Sequence, residues 1–169
     1  MSPPQAKAFE RALTAADAAH WGDALEAANA TGQPVAGKYV QWLYLRDTNT
    51  DASFAAIANF VATNPGWPDM ATLRRRAEER LQLDTPPDQV LRFYAKDQPI
   101  TGDGGLRHLD ALAGKLPADK FNAKLRDYWV NLELNPGHEQ GFMERYGAIL
   151  TPADHWARVD RLLWQGNDT

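Results

Sequence analysis

Between Phe60 and Leu81 the chain reads Phe-Val-Ala-Thr-Asn-Pro-Gly-Trp-Pro, then Asp-Met-Ala-Thr-Leu-Arg-Arg-Arg-Ala-Glu-Glu-Arg-Leu. Pro65 disfavours helical geometry at Asn64 and so ends the helix before it. Pro68 suits the first position of the next helix, where a missing N–H costs nothing. Trp67 is thereby held between two helices, positioned as a wedge. Helix, two-proline hinge and helix in 22 residues restrict the chain to an array of short, closely joined helices.

The rest of the sequence has the same character. Apolar residues recur at helical spacing, and no segment alternates as a strand. A first helix spans Pro4 to His20 with Phe9, Leu13 and Ala16 on one side, and a second runs from Trp21 to Ala30, ending at Thr31-Gly32. Pro34 opens a third, whose Val35, Tyr39, Trp42 and Leu43 form a buried stripe. Asp51 or Ser53 caps a fourth that places Phe54, Ile57 and Val61 together, with Phe60 flanking. A fifth runs from Pro68 to about Leu81, and Thr85-Pro-Pro opens a sixth with Val90, Leu91, Phe93 and Tyr94.

Asp97 to Gly105, rich in Gly, Pro and Asp, reads as the longest break. Leu106, Leu109, Leu112 and Leu116 then mark a seventh helix, and Pro117 starts an eighth with Phe121, Leu125, Tyr128, Trp129 and Leu132. After Asn135-Pro-Gly a ninth carries Phe142, Tyr146, Ile149 and Leu150. Thr151-Pro-Ala-Asp154 opens a tenth with a capping residue, a first-turn proline and an acid at N3. That helix carries Trp156, Val159, Leu162, Leu163 and Trp164. The expected fold is all-α, about ten helices in stacked hairpins, a TPR-like solenoid in one domain over residues 1–169. Helix pairs would recur every ~30 to 40 residues, without a strict period.

Composition removes several functions. A net charge of −4 argues against a nucleic-acid partner, since phosphate binding needs concentrated Lys and Arg. Arg74-Arg75-Arg76 and Arg80 are interleaved with Glu78 and Glu79, which reads as a solvated helix face. Without cysteine there is neither a disulfide nor a thiolate metal site. No apolar run approaches the ~20 residues of a membrane span. The stretch Met1 to Phe9 lacks the apolar core of a signal peptide.

Several stretches in succession resemble one family. They are Pro34-Val-Ala-Gly-Lys-Tyr-Val-Gln-Trp-Leu43, Phe54-Ala-Ala-Ile-Ala-Asn-Phe-Val61, Asn64-Pro-Gly-Trp-Pro68, Leu125-Arg-Asp-Tyr-Trp129 and Leu150-Thr-Pro-Ala-Asp-His-Trp-Ala-Arg158. From about Trp21 onward the chain is similar to the N-terminal part of soluble lytic murein transglycosylases of alphaproteobacterial type. Those enzymes cleave the β-1,4 bond between N-acetylmuramic acid and N-acetylglucosamine and leave a 1,6-anhydro end. The resemblance implies an α-superhelix that positions a separate lysozyme-like catalytic domain. It further implies a periplasmic setting, with peptidoglycan strands or a protein as partner. The catalytic Glu-Ser pair of that second domain has no counterpart, because no Glu here precedes Ser. The expectation is therefore a fragment or truncated relative that is not itself an enzyme, with no cofactor.

The residues themselves yield no catalytic constellation. Glycoside cleavage commonly takes two carboxylates at a defined separation. Glu10, Glu26, Glu133, Glu139 and Glu144 are scattered, and adjacent Glu78 and Glu79 diverge by ~100° on a helix, so exposed roles are expected for all. His20, His108, His138 and His155 lack zinc-ligand spacing, and His155 suits helix packing. Thr101-Gly-Asp-Gly-Gly105 reads as a plain turn rather than an anion cradle. Ser2 and Ser53 lie in no nucleophile motif. Trp21, Trp67 or Trp129 could line a glycan groove, but Trp42, Trp129 and Trp156 sit at core spacing. The rival reading is a stand-alone helical-repeat adapter that holds a protein or peptide.

Overall fold

The computed structural model describes residues 1–166, and among these the chain is all α-helical with no strand. Ten helices follow in order: α1 Pro3–Asp17, α2 Trp21–Asn29, α3 Pro34–Arg46, α4 Phe54–Thr63 and α5 Met70–Glu79. Then come α6 Pro87–Phe93, α7 Gly102–Leu112, α8 Ala118–Asn131, α9 Pro136–Tyr146 and α10 Pro152–Trp164. The chain divides into two compact units, the first ending at Arg76 and the second beginning at Ala77.

In the first unit α1, α2 and α3 pack on one another. Their contact is made largely of alanine: Ala12, Ala16, Ala24, Ala27, Ala28 and Ala36 are all buried, with Phe9, Trp21 and Leu43 closing the edges. Alanine offers little area per residue, but it lets helix backbones approach closely and favours the helix itself. Ser53 is the cap of α4, accepting the Ala56 N–H, which decides between the two sequence candidates. Trp67 does act as a wedge, meeting Phe60 of α4 edge-on at 5.9 Å, with Lys38 of α3 over its ring at 5.5 Å.

The second unit is built around Leu106, Leu109, Leu125, Tyr128, Trp129, Leu132, Phe142 and Leu150. Helix α7 is its hub, touching α6, α8 and α9, while α10 lies on α8. Every one of these leucines and aromatics belongs to a periodic stripe in the sequence.

Four expectations are corrected. The Asp97–Gly105 break is half helix: α7 starts at Gly102, four residues before the leucine stripe, with Thr101 as cap. Pro68 precedes α5 rather than opening it, and Asp69 is the residue that leads into the helix. Val35 is 58% exposed, because the buried line on α3 runs through Ala36, Val40, Trp42 and Leu45. Trp156, expected in the core, is 73% exposed.

The two units repeat one plan, at a spacing longer than the expected helix pair. Gly32 and Gly114 both adopt left-handed backbone, with φ of 64° and 73°. The N-cap residues Ser53 and Asn135 both accept from the N3 amide of their helices, and Asp69 and Thr151 both open one. Phe60 and Phe142 are core residues, and Arg76 and Arg158 are both buried. Each pair is 82 residues apart, so α1–α5 correspond to α6–α10 in order.

The two arginines do the same work. Arg76 Nη2 donates to the carbonyls of Asp47 at 2.7 Å and Thr50 at 3.1 Å, beyond the end of α3. Arg158 Nη1 donates to Trp129 O at 2.8 Å and Leu132 O at 3.2 Å, at the end of α8. Carbonyls at and just beyond each helix end, and the negative end of the helix dipole, thus receive a buried cation. Arg158 is also paired with Glu139 at 2.6 Å and lies over the Trp129 ring at 5.0 Å.

Candidate functional site

The least expected side chain in the protein is Glu78, which is 0% exposed although the sequence reads as a solvated run. Arg76, two residues earlier, is buried as well, so only part of that run faces water. Helical geometry sets this up: Leu73, Ala77 and Leu81 put one face of α5 and its exit in the interior, and Glu78 follows that face.

The carboxylate is fully engaged. Its Oε2 accepts from Thr101 N at 2.8 Å and Thr101 Oγ1 at 2.7 Å, both oxygens lie 3.1 Å from Ile100 N, and the Tyr94 hydroxyl lies beside it. Thr101 Oγ1 in turn accepts the Gly104 N–H at 3.0 Å. Glu78 therefore orients the cap of α7 and supplies negative charge at the positive end of that helix. Burial raises its pKa above the usual carboxylate range, against the lowering effect of these hydrogen bonds. Gly104 makes room for it, since a Cβ there would lie 2.5 Å from Oε2.

A second polar chain runs beside the first. The Tyr94 ring stacks on His108 with centroids 4.5 Å apart, and His108 Nδ1 is 2.7 Å from the Tyr128 hydroxyl. That hydroxyl is also 2.7 Å from Gln98 Oε1, with Lys124 Nζ 3.2 Å from the same oxygen. Burial and then the Lys124 charge push the His108 pKa down to about 4, so the ring is neutral at pH 7. Burial pushes the Tyr128 hydroxyl well up. These are groups matched in hydrogen bonding, and their shared effect is to tie α6, α7 and α8 together.

The remaining sequence candidates are not brought together. Glu10, Glu26, Glu79, Glu133 and Glu144 are exposed and Glu139 serves Arg158. His138 belongs to the cap of α9 and lies 3.2 Å from Asp103. His155 packs edge-on against Trp129 at 5.3 Å, as its position on the helix suggests. Ser2 precedes α1 and His20 precedes α2. Among the described residues no group of three or more acids and histidines could hold a metal ion. No helix among them is long and apolar enough to cross a membrane.

Two surface features remain. In the first unit an open cleft of about 300 Å³ is lined by Trp21, with Asp17, Arg46, Asp47 and Thr72 around it. Trp21 is held edge-on against Tyr44 at 5.5 Å, and Arg46 is fixed by Asp69 at 2.9 Å. In the second unit α10 carries an apolar face on which Trp156, Val159, Leu163 and Trp164 are 73, 43, 60 and 85% exposed. A groove of about 360 Å³ lies along it between Pro152 and Val159. Trp129, by contrast, is buried and can line no groove. Comparisons with known protein families, with curated proteins and with solved structures find no match.

Proposed function

We propose that the chain is a non-catalytic helical contact domain, of the kind that the N-terminal part of a soluble lytic murein transglycosylase provides, and that it acts at the cell wall of the periplasm. Its helical hairpins would position glycan strands, a partner protein or an attached catalytic domain. The observation carrying this reading is the use made of Glu78. Among the described residues the one fully buried carboxylate, with a raised pKa, faces the amides of Ile100 and Thr101 and the Thr101 hydroxyl, not a cleft. A glycosidase acid needs its proton directed at a sugar oxygen.

The cleft beside Trp21 has the composition a weak glycan contact needs. An aromatic face can lie against a sugar ring, and Asp17, Arg46 and Asp47 offer donors and acceptors to its hydroxyls. Titration of the 15N-labelled protein with soluble N-acetylglucosamine–N-acetylmuramic acid oligomers tests the assignment. Saturable shifts at the Trp21 indole and the Arg46 side chain, removed by Trp21→Ala, are expected. Absence of any shift in the first unit at millimolar oligomer would refute glycan contact there.

The second reading, a protein-binding adapter, is favoured by the exposed tryptophans of α10, since contiguous apolar surface of this kind marks association sites. Retention of a protein partner without retention on purified sacculi would select it.

A further inference from the structure

The repeat allows each surface residue to be compared with its counterpart 82 residues away. On α5 and its exit, Ala77, Glu78 and Leu81 are buried, and Glu78 is bound to the start of α7. Their counterparts on α10 are Val159, Asp160 and Leu163, all exposed. On the other side of that contact, Thr101 and Gly104 are buried, and a Cβ on Gly104 would strike Glu78. Their counterparts are Ala19 and Gly22, both exposed, and a Cβ on Gly22 meets nothing within 4 Å. The chain thus carries each half of the contact between α5 and the α6–α7 hairpin a second time, without its complement. One half lies on α10 and the other on the α1–α2 hairpin.

We infer that copies of this chain associate head to tail, α10 of one seated on the α1–α2 hairpin of the next. Asp160, which keeps the negative charge of Glu78, would then face the first-turn amides of α2, a helix whose N-cap residue His20 makes no side-chain cap bond. Trp156 and Leu163 meet a surface of small residues, Ala18, Ala19 and Gly22.

The two tryptophans with Val159 and Leu163 present roughly 400–500 Å² of accessible surface, taking an aromatic side chain at ~200 Å². With an equal area on the other copy the interface approaches ~1,000 Å², the lower bound for specific association. Ala19 stands where Thr101 does and Ala12 where Tyr94 does, so the acid finds fewer donors than Glu78. Affinity is accordingly modest, with Kd on the order of 10–100 µM. Because the two surfaces differ, the contact is heterologous and can propagate. Association of this kind depends on neither the cell-wall reading nor the Trp21 cleft.

Sedimentation velocity on the full chain across a hundredfold range about that concentration tests it, with Leu163→Glu and Gly22→Leu as variants. The wild type should form an open series of oligomers that grows with concentration. Each variant alone should remain monomeric with unchanged circular dichroism. Mixed, they should form a 1:1 heterodimer that grows no further, because each retains the surface the other lacks; Asp160→Asn, a second α10 variant, should behave as Leu163→Glu does. A wild type that stays monomeric throughout overturns the inference. So does a closed dimer that the mixture fails to restore, or association that survives either variant.

Discussion

Replacing Glu78 by alanine removes one acceptor group from three donors in a buried site. Ile100 N–H and Thr101 N–H are fixed by the backbone and cannot turn to other partners, and each orphaned amide costs about 1–3 kcal/mol. The Thr101 hydroxyl can rotate, so its loss is smaller. Relief of the buried charge, visible in the raised pKa, offsets part of the total. The net expectation is a destabilisation of about 3 kcal/mol, confined to the second unit. Urea unfolding followed by circular dichroism gives the magnitude, and amide hydrogen exchange gives the place: α7 should lose protection first. Glu79→Ala is the internal control, since Glu79 is exposed and should change stability by less than ~0.5 kcal/mol. A loss below ~1 kcal/mol for Glu78→Ala, or unchanged exchange at α7, would refute the account of Glu78 as the anchor of that helix.

Other outcomes follow from the same geometry. Gly104→Ala should destabilise the second unit by about 2 kcal/mol through the clash with Glu78, while its counterpart Gly22→Ala should stabilise α2 by about 0.5–1 kcal/mol; thermal melts of the two distinguish them. Arg158→Met should cost the second unit about 3 kcal/mol by leaving Trp129 O without its donor, Leu132 O with only the 3.3 Å bond from Arg161 and Glu139 without its partner, as measured by urea unfolding. For His108, whose folded pKa is depressed to about 4 from 6.5, stability is fully present above pH 6.5 and falls as the pH drops towards 4, by up to about 3 kcal/mol. Glu78 acts in the opposite sense, because its raised pKa makes its contribution greatest at low pH and smaller as the pH climbs through the folded value. Unfolding midpoints between about pH 4.5 and 7.5 should therefore rise with pH in the wild type and flatten or reverse in His108→Gln.

Helix number and order were legible in the sequence because apolar stripes such as Leu106, Leu109 and Leu112 repeat at the helical period and prolines or capping residues mark most starts. The Thr101–Gly105 run was not, since closely spaced glycines look like a turn until it is seen that Glu78 and Tyr94 occupy the space of the missing side chain at Gly104. Glu78 and Arg76 read as solvated for a related reason. Their partners, the amides of Ile100 and Thr101 and the carbonyls of Asp47 and Thr50, lie 22 to 29 residues away and carry no side-chain signal. The repeat was hidden because it is written in caps, left-handed glycines and buried arginines more than in matching core residues: alanine fills the first unit where leucine fills the second. Trp156 looked like a core residue because an apolar stripe says which face is sticky, not whether anything covers it.

Incubation of the purified chain with peptidoglycan sacculi, followed by sedimentation and mass analysis of the supernatant, tests the proposed contact role most directly. The account predicts saturable retention of the protein in the pellet and a supernatant without 1,6-anhydro muropeptides. Release of such products by this chain alone, or a protein that stays wholly in the supernatant, would contradict it.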